Sequence, residues 1–220
     1  MNGIIRRIIC VLLVLAVAFA LAACNSSGEE NSKQEPASEQ SKPAADEPTQ
    51  GDINVSEYSY KNESLGLAIK LDDGWSIRSP EELLQLIGST SFGDAIKNAP
   101  LTYDFYAVRL ISTASINIIF ENMKKSVGKV YTESEYLNLA KTSVKTQVEA
   151  AGLNVNKLEL IKRTVAGREL NGYHIVLESG GTLVYEYIFA VRVGEYMASI
   201  TLASPSMDEL ETLVGLFYPA

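Results

Sequence analysis

Few side chains in this 220-residue chain are equipped for chemistry. There are two thiols, Cys10 and Cys24, and a single imidazole, His174. Both cysteines precede the bulk of the chain, which therefore has no sulfur for a disulfide or a thiolate metal site. His174 sits in an alternating run. On a strand, Tyr173, Ile175 and Leu177 take one face and His174, Val176 and Glu178 the other. Catalysis by a histidine needs a nucleophile and a third group that orients the ring, and no G-x-S-x-G accompanies it. Asp72 and Asp73 are adjacent carboxylates that would suit a cation, but before Gly74 they are foremost a turn sequence. Gly128 and Lys129 lack the earlier glycine and the following Ser or Thr of a phosphate loop. Lys124, Lys125 and Lys129 therefore read as a solvated basic turn. No catalytic set, metal cluster or cofactor motif emerges, which leaves a hydrolase using Asp72, Asp73 or His174 as a secondary alternative.

The N-terminus carries the one specified chemistry. Arg6 and Arg7 precede an apolar run from Ile8 to about Ala20, and small residues follow, as in a secretory signal peptide over residues 1–23. The Leu21-Ala22-Ala23-Cys24 segment resembles the lipobox of bacterial lipoproteins. That resemblance implies cleavage before Cys24, a diacylglycerol on its thiol and an anchor in the membrane. An uncleaved spanning helix is the rival, but it needs roughly 20 apolar residues. Two acyl chains, at about 0.8 kcal/mol per buried methylene, give stable anchorage. The expected location is the extracytoplasmic face of the cell membrane. In a two-membrane cell, Asn25 after the cysteine implies, by the same resemblance, the outer membrane.

Charge narrows the partners. The formal net charge is −8, and a leader holding Arg6 and Arg7 but no acid takes two positive charges with it, leaving about −10. Such a surface repels nucleic acid and gains nothing from anionic lipid. The membrane contact must come from the lipid.

Residues 24–54 contain no aromatic side chain and hardly a branched aliphatic. They cannot bury enough apolar surface to offset the entropy of ordering, and so read as a disordered tether. About 30 flexible residues span on the order of 30 Å. The folded domain then covers residues 55–220, ample for one core.

Within it, Leu65, Leu67, Ile69 and Leu71 alternate with Gly66, Ala68 and Lys70 as a half-buried strand, with Tyr58 and Tyr60 on a partner. Trp75 and Ile77 continue extended. Ser79, Pro80 and Glu82 then supply an N-cap, a first-turn proline and a capping-box acid for a helix burying Leu83, Leu84 and Ile87. Thr132 with Glu135 caps a second helix whose stripe is Tyr136, Leu139, Ala140, Val144, Val148 and Ala151, ended by Gly152. Ser206 with Glu209 caps a third, burying Leu210, Leu213, Val214 and Phe217. Strands are expected at 103–112, 115–122, 158–164, 168–179, 182–193 and 196–203, with Asn171 and Gly172 as a bulge. Strands and helices segregate along the chain, giving an α+β fold rather than βαβ units.

Two surfaces are candidates for contact. Tyr103 and Tyr106 stand near one strand start, while Tyr185 and Tyr187, with Phe189, share a face of another. Aromatic residues favour strands through packing alone; lining a groove for a peptide or glycan is the alternative. The second surface is the basic segment from Met123 to Tyr131, with Lys124 and Lys125.

The order of elements, together with YSYKNESLGLAIKLDDGW from Tyr58 to Trp75 and GRELNGYHIVLES from Gly167 to Ser179, resembles the PsbP proteins of photosystem II and the Ran-binding Mog1 proteins. The resemblance implies a central antiparallel β-sheet flanked by helices on both faces, a Mog1/PsbP-like α/β/α sandwich. It also implies an accessory or binding role without a shared catalytic centre, since function does not follow from fold. No binding residue of that group carries over to a numbered position here. The expectation is a lipid-anchored binding or accessory module for a protein, peptide or glycan of the cell envelope, with no cofactor and no nucleic acid. A purely structural surface spacer is a further alternative.

Overall fold

Period-2 alternation builds nearly everything in this chain. The computed structural model describes residues 47–79, 81–83, 85, 100–150 and 152–220. The leader, Cys24 and most of the tether lie outside these residues, as do Leu84, Ile87 and Ala151. The strands are β1 (Asp52–Asn54), β2 (Ser59–Asn62), β3 (Leu67–Lys70), β4 (Trp75–Ile77), β5 (Leu101–Arg109), β6 (Ser115–Asn122), β7 (Asn154–Val165), β8 (Arg168–Ser179), β9 (Thr182–Val193), β10 (Tyr196–Ser204) and β11 (Phe217–Tyr218). The helices are α1 (Met123–Val127), α2 (Glu133–Ala150) and α3 (Met207–Val214). The fold is a sheet-dominated α+β arrangement.

The strands form two antiparallel sheets where the sequence suggests one. The large sheet has the order β4-β5-β6-β10-β9-β8-β7, and the small one β1-β2-β3-β11. Its first strand begins at Asp52, inside the stretch that reads as tether, because Asp52 to Asn54 pair with Lys61 to Ser59. One core lies between the small sheet with α3 and the facing side of the large sheet, and includes Tyr60, Ile69, Phe105, Ile118, Phe189 and Leu210. The other lies against α2 on the opposite side, with Tyr136, Val144, Tyr173, Ile175 and Ile188. So a second sheet shares with α3 the face where helices alone are expected.

Two of the three capping boxes close as spaced, while at the third Ser206 Oγ accepts from Glu209 N–H but Ser206 N–H donates to Ser204 Oγ instead of the Glu209 carboxylate. Ser79 N–H donates to Glu82 at 2.9 Å and the Ser79 hydroxyl accepts from Glu82 N–H; Thr132 and Glu135 repeat the arrangement. Leu83 is buried at the first of these helical turns. On α2, Leu139 points outward, 57% exposed, and Leu137 takes the inward position. The terminal helix stops at Val214, so Phe217 leaves it and pairs with Ile69 as part of β11.

No bulge occurs at Asn171 and Gly172, where pairing with β7 and β9 runs on without a register shift. Gly172 has another cause. A Cβ there would lie 2.3 Å from Ile188 O and 2.8 Å from Phe189 Cδ1, so the close approach of β9 demands glycine. The bulges fall instead in β5, between Tyr103 and Phe105, and in β7, between Val155 and Lys157.

Candidate functional site

The β5 bulge creates the site. By strict alternation Asp104 and Phe105 would face opposite ways. The extra residue re-aims them, and both turn toward the small sheet. Phe105 stacks on Tyr60 with centroids 4.5 Å apart. Asp104, 2% exposed, accepts from Gly51 N–H at 2.7 Å, Tyr60 O–H at 2.5 Å and Asn62 Nδ2 at 2.8 Å. Three donors thus satisfy one buried carboxylate, which ties the two sheets together. Burial first, and then the neighbouring Asp104 charge, push the Tyr60 hydroxyl pKa far above its usual range, so it stays a proton donor.

Beside this bridge a cleft of about 380 Å³ opens, lined among others by Thr102, Asp104, Phe120, Asn122, Lys125 and Tyr196. That volume suits a small ligand or one residue of a larger one. Its polar lining is fixed from below. Asn122 caps α1, accepting from Lys125 N–H at 3.0 Å, and Gly128 ends the helix with a left-handed φ of 69°. The segment that reads as a basic turn is therefore a short helix holding Lys125 at the cleft. Among the described residues no carboxylate pairs with the Lys125 ammonium.

The other candidates separate. Lys124 turns away to Glu195, and Lys129 lies over the Tyr131 ring, 4.8 Å from its centroid. Tyr103 and Tyr106 are buried on the α2 side of the large sheet, and Tyr187 is buried on the other side. Tyr185 is half-buried against that same core. The four tyrosines thus line no common groove, because strand alternation puts the two pairs on opposite faces. Tyr187 faces a helix: its hydroxyl donates to Glu211 of α3 at 2.6 Å and accepts from Arg163 at 2.5 Å.

Asp72 and His174 also stand apart. Asp72 adjoins β4 and faces Arg109 at 3.5 Å; His174 is on β8, 3.9 Å from Glu159. Five strand spacings separate β4 from β8, about 24 Å at 4.8 Å each. Burial, reinforced by Lys157, lowers the His174 pKa, so the ring is neutral near pH 7. These two groups cannot act on one substrate atom.

No protein-family model and no curated protein matches the chain. Among solved structures it is similar to LpqN of Mycobacterium tuberculosis, a protein involved in cell envelope biogenesis. The identity is 11% and the TM-score 0.36, over 68% of this chain and 76% of LpqN. It is also similar to a protein of Bacteroides thetaiotaomicron VPI-5482, at 8% identity and a TM-score of 0.35, over 71% of this chain and 46% of that one. Likenesses this distant assign neither a family nor a site.

Sequence reasoning missed Asp104. Its signal was present: one acid in the otherwise aromatic and aliphatic run Tyr103 to Val108. An unexplained charge in a buried strand needs built partners.

Proposed function

We propose that the protein is a lipid-anchored, extracytoplasmic binding or accessory module of PsbP/Mog1-like architecture, held by acyl chains on Cys24. The observation that carries the binding role is the cleft beside Asp104, where α1, capped by Asn122, holds Lys125, paired with no carboxylate among the described residues, over a mixed polar and aromatic lining that also includes Glu47. Lys125 is a cation on a strongly acidic chain, so the occupant is expected to bring a carboxylate or phosphate, on a peptide or glycan of the envelope. Thr102 and Asn122 offer it hydrogen bonds, and Tyr196 offers an aromatic edge. No described helix is long and apolar enough to cross a membrane.

The test is a thermal-shift screen of acidic envelope peptides and glycan fragments against the purified protein. A stabilising ligand whose effect disappears in Lys125→Glu, and persists in Lys162→Glu at the far sheet edge, is the expected result. A screen without hits, or hits indifferent to Lys125, contradicts the cleft. Intact mass of the membrane-extracted protein checks the anchor: an unmodified Met1 or Cys24 contradicts it.

A further inference from the structure

Two opposite charges face the same cleft without meeting. Residues 47–50 read in sequence as part of the tether, yet they form one wall of the cleft that also carries Lys125. The wall is fastened at successive points. Thr49 N–H donates to the Ser64 hydroxyl at 3.0 Å, Thr49 O accepts from Asn62 Nδ2 at 3.0 Å, and Gly51 N–H donates to Asp104. Glu47 is held by Tyr196, whose hydroxyl donates to its carboxylate at 3.2 Å. Asp104, the third charged residue of the lining, is buried and satisfied by its three donors. That leaves Glu47 and Lys125, both exposed. Among the described residues neither makes an ion pair, with the other or with a third group.

Register lays out the floor between them. Asn122 is directly opposite Tyr196 across β6 and β10, and Thr102 is opposite Phe120 across β5 and β6. Phe120 and Asn122 stand two apart on β6, so all four side chains share one face. Opposite neighbours on a face are roughly 5 Å apart. Tyr196 thus adjoins Glu47 on one flank, and Asn122, bonded to Lys125 N–H, adjoins Lys125 on the other. A lone anion here gains from Lys125 and is repelled by Glu47, and a lone cation meets the reverse; a ligand with both charges gains from each. The span follows from the volume. A sphere of 380 Å³ is about 9 Å across, and a dipeptide extends about 7 Å. An amide lies between the two charges of such a ligand. Asn122 Oδ1 is taken by Lys125 N–H, so Asn122 Nδ2 is the donor left for the amide carbonyl, and the Thr102 hydroxyl can donate or accept.

We propose that the cleft binds a zwitterionic peptide segment, its ammonium on Glu47 and its carboxylate on Lys125, with about two residues between the charges. This rests on the cleft being the binding site, as argued above, and narrows the occupant: a purely anionic glycan or phosphate is repelled by Glu47. The ammonium is a terminal amine or a lysine-type side-chain amine, which present the same chemistry to the carboxylate.

Isothermal titration calorimetry of the full protein at low ionic strength tests this. Alanyl-alanine and Nα-acetyl-lysine carry both charges, the first through its terminal amine and the second through its side chain. N-acetyl-alanyl-alanine keeps the carboxylate alone, alanyl-alanine amide keeps the ammonium alone, and O-phosphoethanolamine exchanges the carboxylate for a phosphate. The expected result is saturable binding of at least one of the first two, the tighter one identifying the source of the amine, with the singly charged compounds about tenfold weaker. Glu47→Gln, which keeps an acceptor for Tyr196, and Lys125→Gln should each weaken the zwitterion about tenfold, whereas Lys162→Gln leaves it unchanged. N-acetyl-alanyl-alanine binding as tightly as alanyl-alanine, with no effect of Glu47→Gln, overturns the zwitterion and leaves the Lys125 cleft standing. Tighter binding of O-phosphoethanolamine than of either of the first two overturns the peptide. Binding of neither zwitterion overturns the proposal as well, even where an acidic glycan fragment still stabilises the protein through Lys125.

Discussion

Asp104→Ala should unfold the bridge between the sheets, and its cost follows from the donors left behind. Tyr60 and Asn62 are each 1% exposed. Without the carboxylate the Tyr60 hydroxyl loses its acceptor at 2.5 Å, a penalty of about 2 kcal/mol for a buried unsatisfied donor. Asn62 keeps its bond to Thr49 O at 3.0 Å, so its loss is nearer 1 kcal/mol. Gly51 N–H, toward the surface, can turn to water. Adding about 1 kcal/mol for the vacated volume gives a loss of about 4 kcal/mol. At about 2–4 °C per kcal/mol for a domain of this size, the melting temperature falls by about 8–16 °C. Urea unfolding measures the loss directly. A double-mutant cycle with Tyr60→Phe should show coupling above about 1 kcal/mol, because removing the hydroxyl also removes the stranded donor. A loss below about 1 kcal/mol, or additivity within about 0.5 kcal/mol, would refute the reasoning.

Gly172→Ala should cost about 3 kcal/mol in urea, since its Cβ meets the Ile188 carbonyl, which moves only if β9 moves; a neutral substitution would show that β8 and β9 are less closely paired. Stability should fall as pH rises above about 4.5. In the unfolded chain the Glu186 and Glu121 carboxyls lose their protons near 4.5, but burial raises both values in the folded protein. Between the unfolded and folded values the native state holds the extra protons, so each group removes up to about 1.4 kcal/mol of stability per pH unit. Glu186→Gln should flatten that slope; an unchanged slope in pH-dependent denaturation would deny that Glu186 is neutral inside.

Much of this fold was legible because alternation and capping are local. Ser79 with Glu82, Thr132 with Glu135, and the strands at 168–179, 182–193 and 196–203 announce themselves within a few residues of sequence, whereas β7 begins at Asn154, four residues before the expected start at 158. Interactions that span the chain do not. The pairing of Phe217 with Ile69 draws the last residues out of the terminal helix and helps create a second sheet. Nothing near Phe217 encodes this. Leu139 fits the α2 stripe as well as Leu137 does, and only the position of the sheet chooses between them. The candidate site was legible in part. Lys125 stood out by charge, but the tyrosines misled, because aromatic residues mark cores and grooves alike. Asp104 needed its bulge, which shows only once β5 is laid against β6.

Site-specific photocrosslinking in intact cells tests the central claim most directly. A crosslinker at Thr102, an exposed residue of the cleft lining, should give a defined adduct with an envelope component, lost in Lys125→Glu at unchanged protein level. A crosslinker at Lys162, on the exposed far edge, should give none. Equal adducts at both positions, or an adduct at Thr102 that survives Lys125→Glu, would contradict a binding module that works through this cleft.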